Sequence, residues 1–465
     1  MAFRASISGR QSEKWRRRPI TVTVTSASGY DVITAAVQTR VATKSELRFC
    51  RRFHLPFPGR DASDVQVCLA PTTKKDRMPK TLQLDFMLGL PLDRKGPTYT
   101  AASLASAMDR SDCVTHIYTP LDRWPAPALA VPITSGAPVS DQLLSHVPYR
   151  VTAPLTVRLA ERSILAAAPT TPARQQIVYM WGEVSLRLAT KLAARGTVVV
   201  REKINCGKQA SKRILDEAYG RLGVAAGHSI TDSLIAKEHE ELHLADAVFC
   251  PNQMVAESLR EIGLPSEKLI ATSYGWEPER FIGDDRALGP IEGTTFLFVG
   301  FLCVRKGAHI LLDAWQKAGV NGRLIIAGKI EPLIAERYAH VLDQTNVNYI
   351  PFTPNVGALY RAADWFIFPS LEEGGPQVTY EAGGCGVPGL VSRMGGGAFT
   401  RDGVDGTIID SDDCDVWAAA IASAASTPEL RRAYGENARR RAEQFTWAAV
   451  GAQRREALIE RYAMP

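Results

Sequence analysis

The chain has 465 residues, of which 45% are apolar and 22% charged. This length and composition are typical of a soluble globular protein with two large domains. No apolar stretch approaches the roughly 20 residues of a membrane-spanning helix, and the N-terminus lacks the apolar region of a secretory signal. The 8 cysteines are scattered without a C-x-x-C pair. Their spacing excludes common zinc motifs and favours reduced thiols in a cytoplasmic protein.

The positive charge is confined to one end of the chain. Residues 1–77 contain 15 Lys and Arg against 6 Asp and Glu, whereas the remainder contains 40 against 43. This distribution argues against nucleic-acid binding by the folded body. We interpret residues 1–77 as a basic, disordered extension. The alternative is a targeting or membrane-surface arm, because an Arg-rich, acid-poor start is typical of transit peptides.

From Met78 onward, short apolar runs alternate with helical patterns. This alternation predicts an α/β protein with two parallel, doubly wound sheets. A Gly- and Asp-rich stretch separates the two series and predicts a linker. The predicted segments are a first domain over 78–282, the linker over 283–293, a second domain over 294–444 and a closing helical segment over 445–465.

Two such domains, facing each other, would form one cleft. Ligands of open parallel sheets bind at the carboxyl ends of the strands, so both domains would present their loops to this cleft. The arrangement suits a reaction between two bound substrates.

The first motif with a chemical meaning is the run VGFLCVRKG, residues 299–307. A strand ends at Gly300, and a helix begins near Gly307. Arg305 and Lys306 stand between them, next to the amides of a helix start. Such a loop is a candidate phosphate site, and the alternative is a solvated Arg-Lys pair on a turn.

The second motif is PSLEEGGPQVTYEA, residues 369–382. Its glycines allow close approach to a ligand, the helix start offers amides to phosphate oxygens, and its carboxylates can accept hydrogen bonds from sugar hydroxyls. The combination suits a sugar nucleotide. The alternative for Glu372 and Glu373 is simple complementarity to the helix dipole.

The order and spacing of these motifs resemble the donor domain of retaining glycosyltransferase family 4, glycosyl transferases group 1, of GT-B fold. The resemblance is carried by FLFVGFL, RKG, LIIAGK and YRAADWFIFPSLEEGGPQVTYEAGGCGVPGLVS. It implies two Rossmann-like domains facing across a cleft, with the C-terminal helices crossing back to the first domain. It also implies transfer of a sugar from a nucleotide-sugar donor, with retention, in glycan or polysaccharide synthesis.

The resemblance also assigns roles to residues of the second domain. Lys306 would hold the donor diphosphate, Glu373 would lie by the transferred sugar as the catalytic residue, and Glu381 would bind the ribose. The loop residues that would contact the sugar and phosphates are Gly374, Gly375, Gln377 and Val378.

The chain departs from the family pattern at two positions. Phe301 stands where many members have Arg, and we expect Arg305 to supply that charge. Pro376 removes one backbone amide from the loop. Both departures affect the expected donor preference more than the expected activity.

The acceptor side is less well defined, because the first domain resembles the family more weakly. The run LDRKGPTYTAASLASAM resembles its first loop and helix and includes Gly96. Glu183, Arg201 and Asn205 lie at or after predicted strand ends and are the other acceptor-side candidates. His116 we interpret as a strand residue rather than a base. The acceptor itself, whether a sugar, a lipid-linked molecule or a protein, stays open, as do peripheral membrane contact and oligomeric state.

No metal and no cofactor are expected beside the nucleotide-sugar co-substrate. The two D-x-D runs, Asp410 to Asp412 and Asp413 to Asp415, lead into a predicted helix and are interpreted as its cap. An NAD-dependent oxidoreductase is disfavoured, because no G-x-G-x-x-G follows an early strand. The competing class is a non-catalytic sugar-nucleotide-binding scaffold or regulatory protein, which the departures at Phe301 and Pro376 would suit.

The composition of residues 1–77 predicts that the folded body does not need them. A chain starting at Met78 is therefore expected to fold and to bind donor like the full chain. Thermal denaturation with and without nucleotide sugar, run on both chains, measures this. Loss of folding or of donor binding in the shorter chain would contradict the prediction.

Overall fold

The computed structural model describes residues 19–26, 29–36, 50–54, 64–68, 81–94, 96–124, 128–137, 144, 147–167, 174–182 and 185–463. The chain divides into two compact units, Met1–Arg77 and Met78–Pro465. The division falls at the boundary predicted from the change in composition.

The described part of the first unit consists of two antiparallel strand pairs. Strand β1 (Pro19–Ser26) pairs with β2 (Gly29–Ala36), and β3 (Cys50–His54) pairs with β4 (Asp64–Cys68). The interpretation of residues 1–77 as a disordered extension did not anticipate these pairs.

The second unit contains two parallel sheets, the first of seven strands. Its strands are β5 (Thr81–Leu88), β6 (Cys113–Thr119), β7 (Ile133–Ser135), β8 (Arg174–Trp181), β9 (Val198–Glu202), β10 (Ala247–Cys250) and β11 (Leu269–Ala271). Their spatial order is β11-β10-β9-β8-β5-β6-β7, so the direction of winding reverses between β5 and β8. This is a Rossmann-like order, with a crevice at the reversal.

Six described helices belong to this half of the unit. They are α1 (Gly96–Met108), α2 (Tyr149–Ala166), α3 (Leu186–Ala194), α4 (Lys208–Arg221), α5 (Asp232–Leu244) and α6 (Gln253–Arg260). Side-chain caps fix several starts where the sequence predicts them: Ser185 accepts from the amide of Leu188, and Asn252 from that of Val255.

The second sheet has six strands in the order β14-β13-β12-β15-β16-β17. They are β12 (Thr294–Val299), β13 (Gly322–Ala327), β14 (Val347–Ile350), β15 (Trp365–Phe368), β16 (Gly389–Val391) and β17 (Gly406–Ile408). The winding reverses between β12 and β15, which are hydrogen-bonded neighbours with Phe296 opposite Trp365. The predicted linker, residues 283–293, lies between the last strand of the first sheet and the first strand of this one.

The helices of the second half flank this sheet and close the chain. They are α7 (Ala308–Ala318), α8 (Pro332–Arg337), α9 (Ala339–Leu342), α10 (Val356–Ala362), α11 (Gln377–Gly384), α12 (Arg393–Gly396), α13 (Cys414–Ser426), α14 (Pro428–Ala442) and α15 (Trp447–Leu458). The central strands are buried on both faces, as Phe296, Leu297 and Phe298 show. Covered faces explain why these strands appear as continuous apolar runs in the sequence.

The last long helix, α15, crosses back to the first half of the unit. Gly451 on α15 packs so closely on α1 that a Cβ there would lie 2.5 Å from the Cβ of Ala107. Arg454, also on α15, is fully buried, and its Nη1 lies 2.8 Å from Oε2 of Glu202 at the end of β9. Two Rossmann-like sheets with returning C-terminal helices confirm the predicted fold. Among the described helices, none has both the length and the apolar character needed to cross a membrane.

The buried Arg454–Glu202 pair is expected to fix α15 on the first half. Arg454 also donates to the hydroxyl of Tyr179 (2.6 Å) and to the carbonyl of Ser273 (2.8 Å). Arg454→Met removes one charge of a buried pair and leaves Glu202 uncompensated, so we expect a loss of about 3–5 kcal/mol in unfolding free energy. Urea denaturation measures it.

A matched control is the exposed pair between Lys317 and Asp415, whose charged atoms lie 2.7 Å apart. Asp415→Asn is expected to leave stability essentially unchanged, because solvent screens such pairs. Equal effects of the two substitutions would contradict the assignment of Arg454 as the anchor of α15.

Candidate active site

The two predicted donor motifs meet because β12 and β15 are neighbours at the reversal of the second sheet. The loop after β12 and the loop after β15 are joined by a backbone hydrogen bond from Leu371 to the carbonyl of Arg305 (3.0 Å). Gly307 has φ 69°, and a Cβ there would lie 2.0 Å from the carbonyl oxygen of Pro369. The position therefore requires glycine, both for its conformation and for the close approach of the two loops.

Lys306 and Arg305 converge on one carboxylate oxygen. Lys306 Nζ and Arg305 Nη1 each lie 3.2 Å from Oε1 of Glu373. The Lys306 ammonium also stands 4.9 Å from the centre of the Phe368 ring. Lys306 and Glu373 thus lie together at the carboxyl edge of the second sheet. Burial opposes the charge of Arg305, but the carboxylates of Glu373 and Glu372 raise its pKa.

Glu372 has a different function from its neighbour in the sequence. Its side chain is 2% exposed. Oε1 accepts from the amide of Cys206 and the hydroxyl of Ser211, both at 3.0 Å, and Oε2 accepts from Nδ2 of Asn205 at 3.0 Å. All three donors belong to the first half of the unit, so Glu372 connects the two halves across the cleft.

The glycines of the same loop permit this connection. A Cβ on Gly374 would lie 1.5 Å from the carbonyl oxygen of Ile204, and one on Gly375 would lie 2.3 Å from the Tyr274 ring. Asn252 donates from Nδ2 to the carbonyls of Gly374 and Glu373. These glycines therefore accommodate the first half of the unit, a role that sequence reasoning did not include.

Helix α11 carries the remaining donor-side candidates. Gln377, its first residue, donates from Nε2 to Oγ1 of Thr100 on α1 (2.8 Å), so it also spans the cleft. The carbonyl of Val378 accepts from the hydroxyl of Tyr360 (3.2 Å). The same hydroxyl donates to Oε2 of Glu381 at 3.1 Å.

Glu381 is partly shielded from solvent near the border between the halves. Burial raises its pKa, while the charge of Arg280 and the Tyr360 hydrogen bond act in the opposite direction. Arg280 in turn lies 5.5 Å from the centre of the Tyr99 ring on α1. Sequence reasoning identified neither Arg280 nor Tyr360, because both lie outside the two motifs.

The candidates for the acceptor side differ in their surroundings. Gly96 begins α1 with φ 55° and open space around its Cβ position. Asn205 reaches the donor loop but is held by Glu372. Arg201 is buried, and its Nη2 lies 2.7 Å from Glu241, so this pair stabilises the first half. Glu183 lies outside the described residues.

The structure supports the simpler interpretation of two further motifs. His116 has Nε2 2.8 Å from Thr134 Oγ1, and burial lowers its pKa, as suits a neutral strand residue. Asp413 caps α13 by accepting from the amide of Asp415 at 2.8 Å. Asp415 pairs with Lys317, so this D-x-D run is the beginning of a helix.

Residues 286–441 match the family described as Glycosyl transferases group 1. This segment begins at the predicted linker and includes both donor motifs. This part of the second half is similar to that family. The resemblance stated from the motifs is thus confirmed.

Several curated relatives are D-inositol 3-phosphate glycosyltransferases. The chain is 28% identical over 247 residues to that of Thermobispora bispora, with 48% of this chain and 58% of the relative covered. It is 35% identical over 168 residues to that of Segniliparus rotundus, with 33% and 37% covered. The chain spans about half the length of the curated relatives it matches.

Solved structures share the fold over a larger part of the chain. HepE of Anabaena, in complex with UDP and glucose, superimposes with a TM-score of 0.57 at 15% identity, covering 81% of this chain and 99% of that one. Sucrose-phosphate synthase of Thermosynechococcus elongatus gives 0.58 at 16% identity, covering 82% and 99%. These likenesses establish the two-domain architecture.

The contacts of Glu372 predict that it stabilises the closed cleft. Glu372→Ala leaves three buried donors without their acceptor, so we expect a loss on the order of 3 kcal/mol. Glu372→Gln retains one carbonyl acceptor and is expected to lose less. Glu336→Ala on α8, where the glutamate is exposed, is the control and should have little effect. Urea denaturation compares the three variants, and a Glu372→Ala protein as stable as the control would overturn this role.

Proposed function

We propose that the protein is a glycosyltransferase that moves a sugar from a nucleotide-sugar donor to an acceptor, with retention of configuration. The observation that carries the proposal is the convergence of Lys306 and Arg305 on Glu373, at the carboxyl edge of the second sheet. Two cations beside a glycine-rich loop suit a diphosphate, and a carboxylate between them suits the adjoining sugar.

The donor class is supported by the solved relatives of this fold. HepE was determined with UDP and with UDP-glucose. The proposal extends the nucleotide-sugar class, without the particular sugar, to this chain. Phe301, at the position where many members carry Arg, is 46% exposed and uncharged, while Arg305 lies beside Glu373. Arg305 is therefore our candidate for the second phosphate-binding cation.

The proposed chemistry needs charge stabilisation at two points. As the bond from the anomeric carbon to the diphosphate oxygen breaks, negative charge grows on the leaving group and positive charge on the sugar. Lys306 and Arg305 stabilise the former, and the Glu373 carboxylate stabilises the latter. The acceptor hydroxyl forms the new glycosidic bond and passes its proton to the departing diphosphate oxygen. No metal is required, since the two cations supply the phosphate charge, and the proposed setting is the cytoplasm.

Thermal shift with a panel of nucleotide sugars tests donor binding. A ligand at about 100 times its Kd stabilises a protein by roughly 2.7 kcal/mol. We expect one or more nucleotide sugars to raise the midpoint of the wild type and to lose this effect in Lys306→Met. Lys191→Met, on the exposed face of α3, changes the net charge equally and should keep the effect. Stabilisation retained in Lys306→Met would remove the lysine from the donor site.

The two glutamates are expected to affect different kinetic constants. Glu381→Ala should mainly raise the donor KM, because ribose contacts are alike in the ground and transition states. Glu373→Gln should mainly lower kcat, because its charge matters most as the sugar becomes positive. Each effect should be roughly 10- to 100-fold, the usual value of a charged hydrogen bond.

Steady-state kinetics on the two variants measures both constants. A wild-type kcat in Glu373→Gln, with KM alone changed, would remove Glu373 from the chemical step. Donor binding without transfer or hydrolysis, over a panel of sugar, lipid-linked and protein acceptors, would favour the scaffold alternative.

A further inference from the structure

Two loops of the first half continue the parallel pairing of their strands beyond the sheet. The loop after β5 and the loop after β6 are joined by hydrogen bonds from Leu92 to the carbonyl of Leu121 and from Arg123 to the carbonyl of Leu92, both 2.9 Å. Leu92 and Asp122 form a parallel bridge. This pairing fixes the backbone of Arg123 at the carboxyl edge of the first sheet, which is the edge where parallel sheets bind ligands.

Arg123 is half-buried, and two of its guanidinium nitrogens have no hydrogen-bond partner. Its Nε and Nη2 are buried and have no hydrogen-bond acceptor. Among the described residues, no carboxylate lies within ion-pair distance of it. Arg201 and Arg454, in contrast, each reach a glutamate, at 2.7 and 2.8 Å. Buried N–H donors without an acceptor are costly, and such groups call for an explanation by function.

Two neighbouring groups make hydrogen bonds to other partners. The hydroxyl of Tyr149 donates to the carbonyl of Gly89 at 3.1 Å, and burial raises the pKa of Tyr149 to about 12 although Arg123 acts against the rise. The phenol is therefore neutral at physiological pH. The adjacent Asp122 turns Oδ1 to the amide of Trp124 at 3.0 Å.

A second arginine adds positive charge to the same pair of loops. Arg94 follows Leu92, and its guanidinium lies 5.6 Å from the centre of the Trp124 ring, one residue beyond Arg123. The two loops therefore carry two guanidinium groups, one with two buried nitrogens that have no acceptor and one that lies against an indole. Guanidinium groups are suited to bidentate binding of phosphate and carboxylate.

We propose that Arg123 is a binding residue for an anionic group, a phosphate or a carboxylate, on the acceptor substrate. The identification of the ligand as the acceptor substrate rests on the proposed transferase function, whereas the anion site itself does not. Arg94 assists from the neighbouring loop. The acceptor class is thus a sugar or lipid headgroup that bears a negative charge.

The first experiment separates a ligand-binding arginine from a structural one. Arg123→Met removes a charge that has no partner in the free protein, so its thermal midpoint should equal or exceed that of the wild type. Arg454→Met, which breaks a satisfied pair, should lower the midpoint. A comparable loss in Arg123→Met would overturn the proposal, since it would show that the folded protein needs this guanidinium.

The second experiment measures anion binding with the donor-side lysine removed. In Lys306→Met, inorganic phosphate and glucose 6-phosphate are titrated by calorimetry, with glucose as the neutral partner at equal ionic strength. We expect glucose 6-phosphate to bind at least tenfold more tightly than glucose. Adding Arg123→Met should weaken phosphate binding by roughly 10- to 100-fold, the usual value of a charged hydrogen bond.

The control variant is Arg187→Met, which removes an exposed arginine of α3 and should leave the titration unchanged. Equal effects of Arg187→Met and Arg123→Met on the binding of phosphate, of glucose 6-phosphate and of the anionic vesicles described below would overturn the anion site. Vesicles with and without phosphatidylinositol form the lipid arm. Arg123-dependent binding confined to these vesicles assigns the anion to a lipid headgroup, and binding of glucose 6-phosphate assigns it to a soluble sugar.

The two proposals can fail separately. If no nucleotide sugar stabilises the wild type but Arg123 still binds phosphate, the transferase proposal fails and the anion site stands. The opposite outcome is that donors bind and react, that uncharged acceptors are used as well as charged ones, and that Arg123→Met changes neither anion binding nor transfer. In that case the anion site fails and the transferase proposal stands.

Discussion

The site depends on the hydrogen-bonded pairing of β12 with β15. These strands are separated by β13, β14 and the helices between them in the chain, yet they are adjacent where the winding of the sheet reverses. Their following loops must therefore share one edge. That constraint brings Nζ of Lys306 within 3.2 Å of Oε1 of Glu373. Gly307 allows the contact, because any side chain there would meet the carbonyl of Pro369.

The adjacent glutamates divide two tasks between them. Glu373 faces Lys306 and Arg305, whereas Glu372 faces Asn205, Cys206 and Ser211 across the cleft. Arg305 Nη1 contacts both carboxylates, at 3.2 and 3.4 Å. A ligand that attracts Arg305 would therefore act on the residue that holds the two halves together. Arg305 thus links the carboxylate beside Lys306 to the carboxylate that contacts the first half.

Sequence reasoning predicted the alternation of strands and helices and the second-half motifs, because buried strands and glycine-rich loops leave local patterns. It did not predict Glu372, whose partners lie more than 160 positions away in the chain. Nothing local distinguishes two adjacent glutamates that point to different domains. Arg201 illustrates the opposite error. Its position at a strand end suggested that it binds the acceptor, but its guanidinium is paired with Glu241 on α5. Local patterns specify elements, and long-range packing decides which polar side chains stay free.

Arg454 and Arg123 show how long-range packing determines which polar side chains have partners. Arg454 has a structural role, because its guanidinium contacts a carboxylate at 2.8 Å, a tyrosine hydroxyl and a backbone carbonyl. The backbone of Arg123 is fixed by a hydrogen bond to Leu92, while two of its guanidinium nitrogens have no acceptor. Folding gains nothing from such a group, since an apolar side chain would fill the space without the desolvation penalty. A cost of this kind, at the edge where parallel sheets bind ligands, is best explained by a molecule that supplies the missing acceptor.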